Sequence, residues 1–594
     1  MNQQNIKKKF NTLLYYYAVV ALMLPNISLC ITERLSLWAC GANLLLPLGI
    51  YTMLMSLCKK TGKMVWWSFI LIFFAAFQLV LLYLFGKGVI AVDMFLNLVT
   101  TNPGEAMELL DNLVPAVAGV FIVYLPLLIL GIISIRGTFC GLSTSFKKNT
   151  HKWGLTFGCF GLLCMLNAYI HTDKYKIQDH FYPVNVFYNL GLAVERNNAS
   201  LNYQEACKNF KFDARSEHST DSCEIYVMVV GETARAHNFS LYGYSRDTNP
   251  LLSKTEGLMA FDKVTTQSNT THKSVPMLLS AVSATDFESL FHEKGILAAF
   301  KEAGFHTVFI SNQLPNRSFI DFLGEQADEW SFIKTGDSND AFAKEYENGT
   351  MSKNENGTMS KNENDKNGNS GNSFGKEKEN EGAANVYDAD LLPILDKVLA
   401  KKHKKLFIVL HTYGSHFNYM ERYPRAMAFF KPDTKSDAKA ENRRDLLNAY
   451  DNTIRYTDFV LHSIITRLQK QGGMSAMLYT SDHGENIFDD SRKLFLHASP
   501  RASRYELEVP FLVWTSQSYN HCFPATKSAL AANLHKQVQS SRSAFHTMLD
   551  LGGIATRYRN QQQSVASCRY KQKPLLYLND HDEAIPQADC GFDK

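Results

Sequence analysis

Hydrophobic positions divide the chain into two unlike regions. In the N-terminal third they form five long apolar stretches, Leu13–Ile31, Ser36–Leu57, Met64–Phe85, Pro115–Ile135 and Trp153–Ile170. A hydrocarbon core of roughly 30 Å needs about 20 helical residues, since lipid offers the backbone no hydrogen-bond partners. Each stretch is close to that length, so the pattern predicts a five-helix transmembrane bundle over residues 1–171. The basic start and apolar middle of the first stretch also fit a cleaved signal peptide, but the run is long and further spans follow it.

From residue 172 the pattern changes. Residues 172–215 mix aromatic, apolar and polar positions, as in Phe181-Tyr182-Pro183-Val184-Asn185, which fits an interfacial helix and linker tying the next domain to the bilayer. Beyond it, short apolar runs alternate with helical patterns. The runs Ile225–Val230, Thr307–Ile310, Leu406–Leu410, Ala476–Tyr479 and Pro510–Trp514 lack strict alternation, as expected of strands buried on both faces. They predict a doubly wound α/β domain over residues 216–594. Between Gly336 and Asn385 the pattern collapses into Asn, Lys, Glu, Gly and Ser, and Glu347–Asn354 recurs directly as Glu355–Asn362. So little apolar surface predicts a disordered insertion with no chemistry of its own.

Charge adds an orientation. Lys7, Lys8 and Lys9 precede the first span, Lys59, Lys60 and Lys63 follow the second, and Arg136, Lys147, Lys148 and Lys152 separate the fourth and fifth. Basic loops stay preferentially cytoplasmic, so the large C-terminal domain is expected on the outer side. Over the whole chain of 594 residues, 61 basic and 57 acidic residues leave a net charge of +4, which gives no reason to expect nucleic acid as a partner. Of the 11 cysteines, five lie beyond the spans, and an oxidising compartment would allow Cys207 with Cys223 and Cys568 with Cys590.

Polar residues of metal-ligand type stand where the strand candidates end. Ile225–Val230 runs into Gly231-Glu232-Thr233, Leu406–Leu410 into His411 with His416 close behind, and Ala476–Tyr479 into Ser481-Asp482-His483-Gly484-Glu485. Ligands of open parallel sheets bind at the carboxyl ends of the strands, so these loops are expected to share one crevice. Glu232, Asp482 and His483 would give the mixed oxygen and nitrogen shell that Zn²⁺ accepts. Asp482 and His483 alone would more often cap a helix; three strand ends bearing such groups shift the balance. A nucleophilic hydroxyl is expected in Thr270-Thr271-His272-Lys273-Ser274-Val275-Pro276, and the residues alone leave Thr270 and Thr271 both open.

With Gly231-Glu232-Thr233-Ala234-Arg235-Ala236, Phe239-Ser240-Leu241-Tyr242-Gly243-Tyr244, Ser274-Val275-Pro276 and Ser481–Glu485 together, the chain resembles the phosphoethanolamine transferases that modify lipopolysaccharide. These include the mobile colistin (polymyxin) resistance enzymes and belong to the alkaline phosphatase and sulfatase superfamily. The resemblance covers nearly the whole chain except the insertion. It implies an alkaline-phosphatase-like (sulfatase-like) α/β domain, inner-membrane localisation with that domain in the periplasm, and Zn²⁺ held by Glu232, Thr271, Asp482 and His483. It makes Thr271 the nucleophile, gives further active-site roles to His411 or His416 and to His497, and turns Asn97 and Glu105 toward the lipid substrate. It also implies phosphatidylethanolamine as donor, lipid A or the lipopolysaccharide core as acceptor, a covalent phosphoethanolamine–threonine intermediate, and a monomer. One departure stands out: many relatives bracket the threonine with a disulfide, where this chain has Gln267 and Met277. A phosphoglycerol transferase of the same superfamily and a non-catalytic metal or lipid sensor are the alternative readings.

Overall fold

The computed structural model describes residues 3–33, 35–85, 88–100, 103–172, 175–218, 223–335, 337–338, 386–499 and 501–591. Helices α1 (Gln3–Thr32), α2 (Leu37–Met55), α6 (Pro103–Arg136) and α7 (Thr144–His171) each contain a segment long and apolar enough to cross a membrane. The third predicted span is not one helix. It is broken at Ser68 into α3 (Thr61–Trp67) and α4 (Phe69–Phe85), which meet at 65°, so the described residues hold four candidate spans, or five if the bent pair counts as one. Close packing fixes α3: a methyl group on Gly62 would lie 2.1 Å from the Gly131 carbonyl oxygen of α6. Small residues also bring α2 and α7 together, a Cβ on Gly49 falling 2.6 Å from the Gly154 oxygen.

Two elements link the bundle to the second domain. Between α4 and α6 lies the short loop helix α5 (Val92–Thr100), and after α7 comes α8 (Val184–Leu201), so residues 184–201 are helical and not an open linker. Val186 and Ala193 of α8 pack with Leu82 and Phe74 of α4 and with Val92 and Phe95 of α5 in one apolar cluster.

The second domain is built on an eight-stranded sheet. In chain order its strands are β1 (Glu224–Gly231), β2 (Leu258–Ala260), β3 (His306–Ser311), β4 (Glu329–Phe332), β5 (Asp337–Ser338), β6 (Lys405–His411), β7 (Met474–Ser481) and β8 (Phe511–Thr515). Their spatial order is β2-β8-β7-β1-β6-β3-β4-β5. The five strands from β7 to β4 run parallel; β8 pairs antiparallel with both β7 and the edge strand β2, and the other edge strand, β5, pairs antiparallel with β4. All five strands read from the sequence are present.

Their unbroken apolar character has the expected cause. In β1, Tyr226, Met228 and Val230 face one core, and Ile225, Val227 and Val229 face the other. The first core is closed by α9 (Thr271–Leu279) and α12 (Ser540–Leu551), the second by α10 (Leu391–Ala400) and α11 (Arg443–Gln471). Each fully buried aliphatic side chain contributes roughly 1.5–3 kcal/mol. The central strands are therefore the rigid element on which the site is mounted.

Three further expectations need correction. Residues 337–338, placed at the start of the disordered insertion, pair with β4 as an edge strand; the remainder of the insertion lies outside the described residues. The expected Cys207–Cys223 disulfide is absent, because Cys207 turns to the Gln204 carbonyl and Cys223 to the His403 carbonyl on another segment. Nor does a disulfide join Cys568 to Cys590; the first is exposed at the surface and the second buried.

Candidate active site and metal centre

Register brings the candidate residues together. Gly231 pairs with Ser481, Val230 with His411 and Ser311 with His411, so β1, β7, β6 and β3 end at one edge of the sheet. The next residue on β1 is Glu232, and those next on β7 are Asp482 and His483, all three buried. One ligand atom from each lies within 4.8 Å of the others. Thr271, the first residue of α9, completes the group: its Oγ1 donates to Glu232 Oε1 at 3.1 Å and lies 3.0 Å from His483 Nε2. Thr270 is turned away, its hydroxyl 3.1 Å from Ser268 Oγ.

The donor set fits a cation. His483 Nδ1 is 2.9 Å from the Gly484 carbonyl, which places the ring proton there and leaves Nε2 presenting a lone pair. That lone pair faces Asp482 Oδ2 at 3.2 Å and Glu232 Oε1 at 3.6 Å. Asp482 Oδ2 is buried without a hydrogen-bond partner, so its contact with His483 is lone pair against lone pair. Acceptors pressed together in this way repel unless a positive charge lies among them. A tetrahedral ion with ligands at about 2.0 Å spaces those ligands about 3.3 Å apart, close to the separations found. Among the described residues a second group, His306, Glu329 and His403, has comparable spacing, but its imidazoles stack face to face at 3.9 Å and Glu329 is already engaged by His306 at 2.7 Å and Lys401 at 2.9 Å.

Protonation follows from the same crowding. Burial, and then the neighbouring Asp482 charge, pushes Glu232 up to about 7. Burial pushes Asp482 up to about 6, although the Thr233 and His483 N–H groups favour its charged form. Burial pulls His483 down to about 3, which keeps it neutral and able to ligate.

Local backbone strain supports this arrangement. Thr233, directly after Glu232, has φ 60°, an uncommon value for a β-branched residue. Its N–H donates to Asp482 Oδ1 at 3.1 Å and its hydroxyl to Glu232 Oε1 at 2.7 Å, and both bonds offset the strain. Gly414 has φ +54°, and a Cβ there would stand 2.4 Å from the Glu232 carbonyl oxygen. Gly414→Ala is therefore expected to displace Glu232 and weaken metal affinity by about tenfold or more, measured by metal titration of the purified protein.

The three additional histidines are placed unequally. His497 lies nearest, its ring 4.2 Å from that of His483 and its Nδ1 3.2 Å from Glu485 Oε1. Burial would lower its pKa, but the hydrogen bond and charge of Glu485 prevail and raise it. His416 sits behind, 6.2 Å from the His497 ring, and burial holds it well below the ordinary histidine range. His411 is bound to Ser311 Oγ at 3.2 Å, has a buried Nε2 without a partner, and is pulled down to about 3 by burial. It is not part of the clustered ligand group. Asn97 and Glu105 stand on α5 and α6, but their side chains lie outside the described residues.

Several contributing residues were not singled out in the sequence. Gln313, just beyond β3, donates to Glu232 Oε2 at 3.1 Å; its place after a strand end was the available signal. Glu485, inside a quoted motif, holds His497 and accepts from Tyr419 at 2.5 Å. Tyr450, in the middle of α11, donates to the Thr233 carbonyl at 2.7 Å, and nothing in the sequence marked it. Gln267 and Met277, which flank the threonine in sequence, are both buried. Gln267 is held by Ser541 at 3.0 Å, Gln539 at 3.2 Å and the Leu578 N–H at 2.7 Å, so hydrogen bonds as well as packing fix the threonine loop.

A doubly wound sheet with a metal-ligand cluster at its carboxyl edge and a hydroxyl at a helix start defines a class. The sulfatase family profile matches residues 224–554, more than half of the chain, and the chain belongs to that family. Within it, the chain is 27% identical over 353 residues to phosphoethanolamine transferase EptA of Escherichia coli strain K12, covering 58% of this chain and 56% of that protein. It is also 27% identical over 327 residues to the Kdo(2)-lipid A phosphoethanolamine 7''-transferase of the same strain, covering 54% of this chain and 49% of the relative. The matches thus span about half the length of these relatives. The integral membrane lipooligosaccharide phosphoethanolamine transferase A of Neisseria meningitidis has the same fold, with a TM-score of 0.67 at 20% identity over 94% of this chain and 99% of that one. The resemblance read from the motifs holds.

Proposed function

We propose that this chain is an inner-membrane enzyme, with its catalytic domain in the periplasm, that transfers phosphoethanolamine from phosphatidylethanolamine to lipid A or the lipopolysaccharide core. The observation that carries this reading is the Thr271 hydroxyl, 3.1 Å from the Glu232 carboxylate and 3.0 Å from the His483 lone pair. The named activities of the curated relatives supply the transferred group, and the apolar N-terminal helices supply access to a lipid donor.

Glu232, Thr271, Asp482 and His483 would hold the metal. Their oxygen and nitrogen donors suit Zn²⁺, and the periplasmic domain of the Escherichia coli relative EptC, of similar fold with a TM-score of 0.50 at 22% identity over 63% of this chain and 95% of that one, has been solved in complex with Zn. Zinc supplies Lewis acidity there, easing loss of the hydroxyl proton and stabilising charge on the phosphoryl oxygens.

The chain's own residues do the rest. Thr271 Oγ1 forms a bond to phosphorus as the bond from phosphorus to the diacylglycerol oxygen breaks. The threonine proton leaves toward Glu232, which already accepts its hydrogen bond. His497, oriented by Glu485, hands a proton to the departing oxygen. A phosphoethanolamine–threonine ester and free diacylglycerol result. An acceptor hydroxyl then attacks the ester, its proton passing to His497, and the bond from phosphorus to Thr271 Oγ1 breaks as Glu232 returns the proton to the threonine. His416 is assigned a supporting place behind His497, and Asn97 and Glu105 are assigned to the lipid on resemblance alone.

The test is direct. Purified full-length protein is incubated with lipid A and either phosphatidylethanolamine or phosphatidylglycerol, and both diacylglycerol and the mass added to lipid A are measured. Diacylglycerol release and a phosphoethanolamine adduct from the first donor alone are expected. Turnover of the second donor alone, or of neither, would refute the proposal.

A further inference from the structure

A second concentration of buried charge lies one residue beyond Thr271, and it connects the threonine helix to the membrane-side segments. Asp93, in the first turn of the loop helix α5, accepts from His272 Nε2 at 2.9 Å and pairs with Lys273 Nζ at 3.1 Å. Lys273 donates to the Asn579 carbonyl at 2.9 Å and lies 3.0 Å from Asp582 Oδ1, an ion-pair contact without hydrogen-bond alignment. Arg196 of α8 pairs with Asp582 Oδ2 at 2.7 Å, donates to the Asp580 carbonyl at 2.9 Å and stands 3.9 Å from Asp93. Asp580 closes the arrangement, its carboxylate accepting the N–H groups of Val92 at 2.7 Å and Asp93 at 3.0 Å. It therefore caps a helix from which it is separated by nearly the whole chain.

These charges are out of water, with side-chain exposures of 2% for Lys273, 6% for Asp582, 9% for Arg196 and 11% for Asp93. Burial raises the Asp93 carboxyl, but the charges of Lys273, His272 and Arg196 together outweigh it and hold the group well below its ordinary range. Apolar side chains of similar volume could hold two surfaces together equally well. What directional ion pairs add is a fixed distance and angle between α5 and the first turn of α9. Thr271 is the residue at which that turn begins, and its contacts within the site are only 3.0–3.1 Å long.

We propose that Asp93 is a positioning residue for the reaction, holding the first turn of the threonine helix in register with the membrane-side loop helix through Lys273 and His272. The inference rests on the reading of Thr271 as nucleophile. It makes the N-terminal domain part of the catalytic alignment as well as an anchor: a shift of α5 is transmitted through two adjacent side chains to the attacking oxygen.

The experiment uses the full-length protein in phosphatidylethanolamine-containing nanodiscs and compares Asp93→Asn with wild type. Turnover is measured with the lipid donor and with a water-soluble nitrophenyl ester of phosphoethanolamine, alongside bound metal and melting temperature. Misplacement of a reacting group by about 1 Å can cost about 100-fold, so kcat on both donors is expected to fall by about tenfold or more. KM and bound metal should stay near wild type, and Asp93→Glu should recover much of the rate.

Wild-type kcat on both donors overturns the proposal. So does a loss confined to the lipid donor, which would mean docking alone, or an Asp93→Glu protein no faster than Asp93→Asn. Should Asp93→Asn fail to fold, Asp580→Asn loosens the start of α5 while leaving the pairs on α9 intact; the same fall in kcat is expected, and an unchanged value overturns the proposal. Turnover surviving in Thr271→Ala would count against the nucleophile itself, an outcome that the Asp93 variants do not produce.

Discussion

Thr271→Ala is expected to lower turnover by at least about 10,000-fold, the order seen when a nucleophile is removed from a site that acts as a unit. The substitution removes a hydroxyl but no buried apolar volume, since the methyl group lost lies at the half-buried start of α9. Melting temperature should therefore move by only about 2 °C. Mass spectrometry after incubation with donor lipid checks the same point on the protein. Wild type should carry phosphoethanolamine on the peptide containing Thr271, and the variant should carry none. Thr270 is the internal control: its hydroxyl points to Ser268, so Thr270→Ala should keep most of the activity.

The second large effect concerns the metal. Without a cation, Glu232 and Asp482 are two buried carboxyls facing a lone pair, with pKa values raised to about 7 and about 6 from ordinary values of 4.5 and 3.8. Raised values mean that the folded metal-free protein favours the protonated forms. Its stability from these groups is fully present below the ordinary values and is lost as pH rises through about 6 to about 7. A divalent ion reverses the balance by favouring the charged forms.

Stripping the metal at pH 8 is thus expected to abolish turnover and lower the melting temperature, and Zn²⁺ should restore both. The gap between the metal-free and metal-loaded proteins should narrow at pH 5. Glu232→Gln removes one of the repelling charges, so its metal-free form should melt above metal-free wild type at pH 8, even though it binds metal poorly. A lower melting temperature for that variant would show that the carboxylates are not in conflict.

The strands and the site were legible in the sequence to different degrees, for physical reasons. Strands buried on both faces need continuous apolar runs, so β1, β6 and β7 stood out, and polar residues just beyond them marked the crevice. The break at Ser68 did not, because the apolar run Met64–Phe85 continues across it with no Pro or Gly to mark a bend. The cysteines misled because sequence proximity says nothing of which way two side chains point.

Within the site, ligand types at strand ends identified Glu232, Asp482 and His483, and the structure brings them together. His411 has the same sequence credentials, but it is held by Ser311 and lies outside that group. The strained φ of Thr233 and the support from Tyr450 and Gln313 arise from contacts between distant segments, which no local pattern encodes. The charged junction at Asp93 was equally hidden, since its partners come from α8, α9 and the C-terminal loop.

Everything proposed for this protein depends on a cation seated between β1, β7 and the start of α9. Anomalous X-ray scattering at the zinc edge, from crystals of the full-length protein grown with Zn²⁺, locates it directly. The strongest peak is expected among Glu232, Asp482, His483 and the Thr271 hydroxyl. A peak found only elsewhere, at His306 and His403 for example, with those four side chains holding no ion, would contradict the account.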